Sequence, residues 1–237
     1  SRLTHAQNGV RIYTLSSDDF EVVRFTFVFK AGSSEQSKHF AASSTANMLG
    51  EGSTSLTAQE IAEKLDFYGL YFDVNIDRDY TYISFCSLKK FFEPTLEVAR
   101  EIILHPAFPE REFEVYRQKR KQSLTIERKK VDMQSREMFA EALFGSNHPY
   151  GISTPEEAYD ELTTDDLKKL YNKLYTAENA FVVCSGNIDD RVYEGIEALA
   201  SELHHGERDE QEFPTPSTTH YLEHNIEQAL QSSVRVG

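Results

Sequence analysis

The stretch Glu21-Val22-Val23-Arg24-Phe25-Thr26-Phe27-Val28-Phe29-Lys30-Ala31 decides the fold. Val23, Phe25, Phe27 and Phe29 recur at every second position, the period of a β-strand with one buried face, and four such side chains in a row need a layer packed over them. Upstream, residues 10–15 follow the turn signal Asn8-Gly9 and predict a second strand, with Asp18-Asp19 turning the chain between the two. Downstream, a loop over 32–38 leads to a helix of small residues over 39–49, closed by Gly50. Thr57-Ala58-Gln59-Glu60 is a capping box that opens a helix through Tyr68, and Gly69 stops it.

The same alternation continues. Residues 71–74 and 80–88 predict strands around a polar turn at 75–79, and 92–104 predicts a helix halted at His105-Pro106. Pro109 opens a long helical stretch through the 120s toward Phe144. Thr154-Pro155-Glu156-Glu157, with Pro at the first helical position, and Thr163-Thr164-Asp165-Asp166 predict two further helix starts. Residues 179–185 predict a buried strand and 189–203 a helix. Strands joined by hairpins and interleaved with capped helices give an α+β fold, an antiparallel-rich mixed sheet with its helices mainly on one face. No internal repeat is present. From 204 to 219 charge and Pro214-Thr215-Pro216 replace apolar periodicity, so the reading is one domain over 1–213, then a linker and the first strand of a second, truncated domain over 214–237.

Composition narrows the function. The chain has 237 residues, enough to close a core without disulfide staples. Its 25 Lys+Arg against 39 Asp+Glu give a net charge of -14, the wrong sign for binding a phosphate backbone, and the one dense basic run, 117–121, reads as a solvated helix face. Nucleic acid is excluded as a partner. Cys86 and Cys184 lie in strand-like apolar runs, outside any CxxC or Cys/His cluster, and read as small buried hydrophobes. No run of 18 apolar residues spans a membrane and no signal peptide is visible, so the expectation is a soluble chain of unspecified compartment.

One motif invites a metal reading. His220-Tyr221-Leu222-Glu223-His224 is a literal HxxEH, which on a helix sets two imidazoles on one face for zinc and a Glu beside the metal-bound water. Here it follows Pro214 and Pro216 and alternates as an extended segment would, and two His four apart on a strand lie about 13 Å apart, too far for one zinc. The expectation is an extended or irregular segment without metal. His5, His39, His105, His148 and the pair His204-His205 are scattered, and neither a nucleophile elbow nor a Gly-rich phosphate loop occurs.

Several segments, in order, carry a family likeness: Asn8-Gly9-Val10-Arg11-Ile12, Phe29-Lys30-Ala31-Gly32-Ser33, Asn47-Met48-Leu49-Gly50-Glu51-Gly52-Ser53, Gly69 with Arg78-Asp79-Tyr80-Thr81, His105-Pro106-Ala107-Phe108 and His148-Pro149-Tyr150-Gly151. Together they resemble the N-terminal half of the insulinase/pitrilysin metallopeptidases, the family that includes the mitochondrial processing peptidase and the cytochrome bc1 core proteins. Glu227-Gln228-Ala229 through Val236-Gly237 resembles the first strand of that family's second half.

The resemblance implies where a zinc site would stand. In active members HxxEH lies on the first helix, directly before the segment that is here Met48 to Ser53, so its five positions are Ser43, Ser44, Thr45, Ala46 and Asn47. Ser43 and Asn47 replace the two His ligands and Ala46 replaces the general base. The third ligand, a downstream Glu in active relatives, falls at Leu124-Thr125, with Glu127 one turn off. Neutral Ser and Asn oxygens are weak donors to zinc, and Ala takes no proton. The implied reading is no metal, no cofactor and no catalytic residue, with Ser43, Ala46 and Asn47 on one helix facing Leu124 or Thr125. The resemblance also implies that extended peptides add to the edge strand at Asp73, Val74 and Asn75, where active members have Asn-Ala at the first two positions. The function it implies is a non-catalytic homologue that binds peptides or pairs with an active subunit or its own second half. A zinc peptidase with another ligand set, such as His220 and His224, and a structural scaffold are the alternatives.

Overall fold

The computed structural model describes residues 2–207, 212–213, 215–216, 221–225 and 230–237. The chain divides into two compact units, Ser1–Phe113 with Thr163–Asp209 and Glu114–Leu162 with Glu210–Gly237. The strands are β1 (Arg2–His5), β2 (Arg11–Ser16), β3 (Val22–Phe29), β4 (Tyr71–Ile76), β5 (Thr81–Leu88) and β6 (Ala180–Gly186). The helices are α1 (Ala41–Met48), α2 (Ala58–Tyr68), α3 (Phe92–Leu104), α4 (Glu110–Glu127), α5 (Val131–Phe144), α6 (Thr164–Leu174) and α7 (Asp190–Ser201).

The first unit is built on one six-stranded sheet in the order β1-β2-β6-β3-β5-β4. β2 and β6 run parallel and every other neighbouring pair is antiparallel. The alternating aromatics of β3 behave as their period demands: Phe25, Phe27 and Phe29 are wholly buried. Phe25 stacks on Phe85 of β5 at 5.2 Å between centroids and meets Phe92 of α3 edge-on, while Phe29 lies against Tyr175 just beyond α6. Tyr193 of α7 donates its hydroxyl to Thr4 on the same face of β1. The helices therefore cover the Phe face. On the opposite face, Leu15, Ser185, Arg24, Cys86 and Tyr71 lie in one cross-strand row, none of them fully buried.

The second unit holds most of α4 and all of α5. Arg128, between them, pairs with Glu137 and Glu156 and donates to the Thr154 carbonyl. A guanidinium bridging several acceptors ties the segments it touches through one planar group. His148 is buried beside Phe144, Tyr150 and Phe213, with its Nδ1 accepting the Tyr150 N–H.

Several sequence expectations need correction. The turn at Asp18-Asp19 exists, but β2 and β3 are not neighbours, because β6 lies between them. Asn75 and Ile76 continue β4, and the turn falls at 77–80, where the Asp77 carboxylate accepts the N–H groups of Asp79 and Tyr80, both at 2.7 Å. The stretch 109–144 is two helices, since the Arg128 carbonyl accepts the Gln134 side chain instead of continuing the ladder. Pro155 is extended, at φ -64 and ψ 151, ahead of a 3-10 helix over Glu156–Glu161; the capping box at Thr163 starts a new helix too soon for a full α-helix to form there.

Candidate functional site

α1 starts from Phe40, which is left-handed at φ 62, and the Gln36 side chain accepts the N–H of Ala42. Small side chains let this helix pack closely. Thr45 donates to the Leu167 carbonyl of α6, and a Cβ at Gly50 would lie 2.7 Å from the ring of Phe72 on β4. Ser43 is half-buried and Asn47 exposed, four apart on one side, whereas Ala46 is wholly buried. The polar groups on that side turn back onto their own helix: the Ser43 hydroxyl donates to the Phe40 carbonyl at 3.2 Å, and the Asn47 amide to the Ser43 carbonyl at 2.7 Å. Ser44 is wholly buried and its hydroxyl has no hydrogen-bond partner among the described residues.

A zinc ion asks for imidazole, thiolate or carboxylate donors, usually three from the protein in a catalytic site. Ser43, Ala46 and Asn47 supply none of these, and among the described residues no group of three or more His, Cys, Asp or Glu side chains is placed to hold a metal. The residues of α1 do not fit zinc. In the second unit Leu124 is buried, and the Thr125 hydroxyl bonds the Lys121 carbonyl and Glu156. The second HxxEH lies partly outside the described residues: His220 is not described, and 221–225 form neither helix nor strand.

Asp73, Val74 and Asn75 lie together on β4, at one margin of the sheet, paired on one side only among the described residues. Side chains alternate across it: Phe72, Val74 and Ile76 point to the helix-covered face and are half-buried, while Tyr71, Asp73 and Asn75 point to the other and are exposed. The backbone alternates too. Asp77 N–H donates to the Tyr80 carbonyl at 2.9 Å, so these two form a hydrogen-bonded pair and every second pair along the ladder does likewise. That phase turns the N–H and C=O groups of Phe72, Val74 and Ile76 outward, an unfilled row that an added strand can bond.

Two features escaped the sequence reading. Glu101 of α3 accepts the hydroxyls of Ser53 and Ser55, fixing the loop after α1, where Gly52 sits at φ 129. Partial burial pushes the Glu101 carboxyl up, but the Ser53 and Ser55 hydroxyls outweigh it, with help from His105, and its pKa ends below the ordinary 4.5. Asp77 follows the same logic: desolvation raises it, and the N–H groups of Tyr80 and Asp79 with the Tyr82 hydroxyl bring it below its usual value. A Ser three residues past a Gly is no signal without knowing which carboxylate lies opposite.

Residues 12–154, more than half of the chain, match the family described as Insulinase (Peptidase family M16). The chain is 24% identical over 215 residues to an uncharacterized zinc protease of Rickettsia felis, covering 87% of this chain and 51% of that protein. It is 26% identical over 211 residues to another from Rickettsia bellii, covering 85% and 50%. Among solved structures, the inactive domain of a peptidase M16 from Pseudomonas fluorescens superposes with a TM-score of 0.84 at 20% identity, over 91% of this chain and 53% of that one. A protease from Helicobacter pylori gives 0.74 at 21% identity, over 92% and 53%. The chain spans about half the length of the relatives it matches.

Proposed function

The chain belongs to the insulinase family, peptidase family M16, and from that membership we propose that it is a non-catalytic member, which presents its β4 edge to extended peptides while paired with a homologous zinc-bearing half. The observation that carries this reading is the pairing of a donorless α1 with an unfilled strand edge beside it: Ser43, Ala46 and Asn47 offer no metal ligand, and Phe72, Val74 and Ile76 keep their backbone groups outward. Strand addition needs a free edge and shallow side-chain pockets, but no catalytic group. Relatives are named uncharacterized zinc proteases, and a neighbouring structure is titled a peptidase M16 inactive domain.

The test is metal analysis and peptide hydrolysis on the purified chain, alone and mixed with an intact HxxEH homologue. Expected are less than stoichiometric zinc, no hydrolysis by the chain alone, and peptide cleavage only in the mixture. Stoichiometric zinc with hydrolysis by the chain alone would overturn the reading, and loss of both on His220→Ala would move the site to the second HxxEH.

A further inference from the structure

We propose that His148 is a pH-controlled clasp on the segment that begins at Phe213: the neutral imidazole holds the Phe213 ring, and protonation on mild acidification releases it.

All the parts lie in the second unit. α5 ends at Phe144, and the turn after it is closed by two backbone bonds, His148 N–H to the Gly145 carbonyl and Gly151 N–H to the His148 carbonyl. His148 is buried, at 6% exposure. Phe144 stacks on its ring at 5.2 Å between centroids, and Tyr150 meets it edge-on at 5.0 Å. The third wall is Phe213 at 5.6 Å, which comes from far along the chain and directly precedes Pro214-Thr215-Pro216. Phe213 itself is half-buried.

The hydrogen bond at Nδ1 sets the charge of the ring. Nδ1 accepts the Tyr150 N–H at 3.1 Å, and a nitrogen that accepts carries no proton, so the ring is neutral with its proton on Nε2. Protonation sets two N–H groups head to head and leaves a cation among rings. Few groups are placed to answer that charge. α5 brings Glu141, one turn before Gly145, the segment at 212–213 brings the exposed Glu212, and the turn brings the Tyr150 phenol. Among the described residues neither carboxylate nor the phenol is bonded to the His148 ring. A buried neutral histidine must charge as the pH falls, and histidine changes charge between about pH 8 and about pH 5. The face of Phe144 attracts an imidazolium and keeps it on α5. The part displaced as the ring turns to water is therefore Phe213.

A second anchor makes the release local. Arg235 donates to Asp132 of α5 at 2.6 Å, and Gly237 lies against the Phe139 ring. No imidazole takes part there. The chain from 213 to 237 is thus fastened at both ends while the clasp is closed, and at the far end alone once it opens.

The experiment places one 4-fluorophenylalanine at position 213 of the full chain and follows its fluorine NMR signal from about pH 8 to about pH 5. At the upper end, the rings of His148 and Tyr150 should shift the signal away from that of the free peptide Glu-Phe-Pro-Thr-Pro carrying the same label. At the lower end it should have moved more than halfway to the free value. His148→Asn keeps an acceptor for the N–H two residues on and does not titrate in this range, so its signal should stay shifted throughout; His148→Phe, which keeps the ring packing, should do the same. A label at Phe139 should not move in the unsubstituted chain. A signal at 213 that ignores pH would overturn the clasp. Movement of equal size in the two His148 variants would overturn the role of His148, and movement at 139 in step with 213 would show that the unit opens as a whole, which sinks the local release.

Discussion

The family resemblance implies that Ala46 stands at the general-base position of active members, and the residue is wholly buried. A carboxylate placed there has to be desolvated in a close-packed helix, so Ala46→Glu should cost roughly 3 kcal/mol or more through overpacking and an unpaired buried charge. It should lower the melting temperature without giving hydrolysis, because the metal still lacks its ligands. A calorimetric scan beside a peptide-cleavage assay checks both statements. Ser44, its neighbour two residues earlier, points the other way. Its hydroxyl is buried without a partner, and replacing such a group by a methyl removes a desolvation cost of about 1 kcal/mol. Ser44→Ala should therefore raise stability, read as a higher denaturation midpoint at unchanged slope.

The elements show what was legible and what was not. The capping box of Thr57 with Glu60 on α2 was readable from four residues and forms, and the helix start at Thr163 is a second such box, with Asp166 on α6. Thr163→Ala should cost about 1 kcal/mol, a fall of roughly 2–4 °C in melting temperature for a domain of this size. The Phe alternation of β3 was equally plain, since a strand's period is a local property. β1 was missed because Arg2-Leu3-Thr4-His5 has a single apolar residue and sits on an edge, where burial leaves no pattern. The break between α4 and α5 was missed because no Gly or Pro marks it; Arg128 is drawn to acceptors far along the chain. At the candidate site, the positions given to zinc donors rest on family resemblance alone, while the outward phase of the β4 backbone needed the ladder itself. Glu101 belongs with the illegible part and makes a pH prediction. A carboxyl lowered in the folded state stabilises fully above its ordinary value of 4.5, and that contribution is lost as the pH falls through the lowered value. The loop after α1 should thus open on acidification, seen as lower amide-exchange protection factors at Ser55 and Leu56, whose N–H groups bond the Ser53 hydroxyl, and Glu101→Gln should flatten that dependence.

At the scale of the whole molecule, two compact units share one chain, the second formed largely by residues 114–162 inserted within the first. β6 is the last strand in sequence among the described residues and yet lies between β2 and β3. A ribosome delivers β1 and β2, then β3, β4 and β5, long before residues 180–186 appear. In the finished sheet the strands made by then form two separate ribbons, a two-stranded and a three-stranded one, whose facing borders are joined by β6. A chain ended at residue 176 should remain sensitive to protease and bind a chaperone, while the full chain becomes resistant; equal resistance would show that the ribbons assemble without their keystone. Such a protein is committed late in its own synthesis, and its two waiting borders are where misassembly with a neighbouring nascent chain would begin.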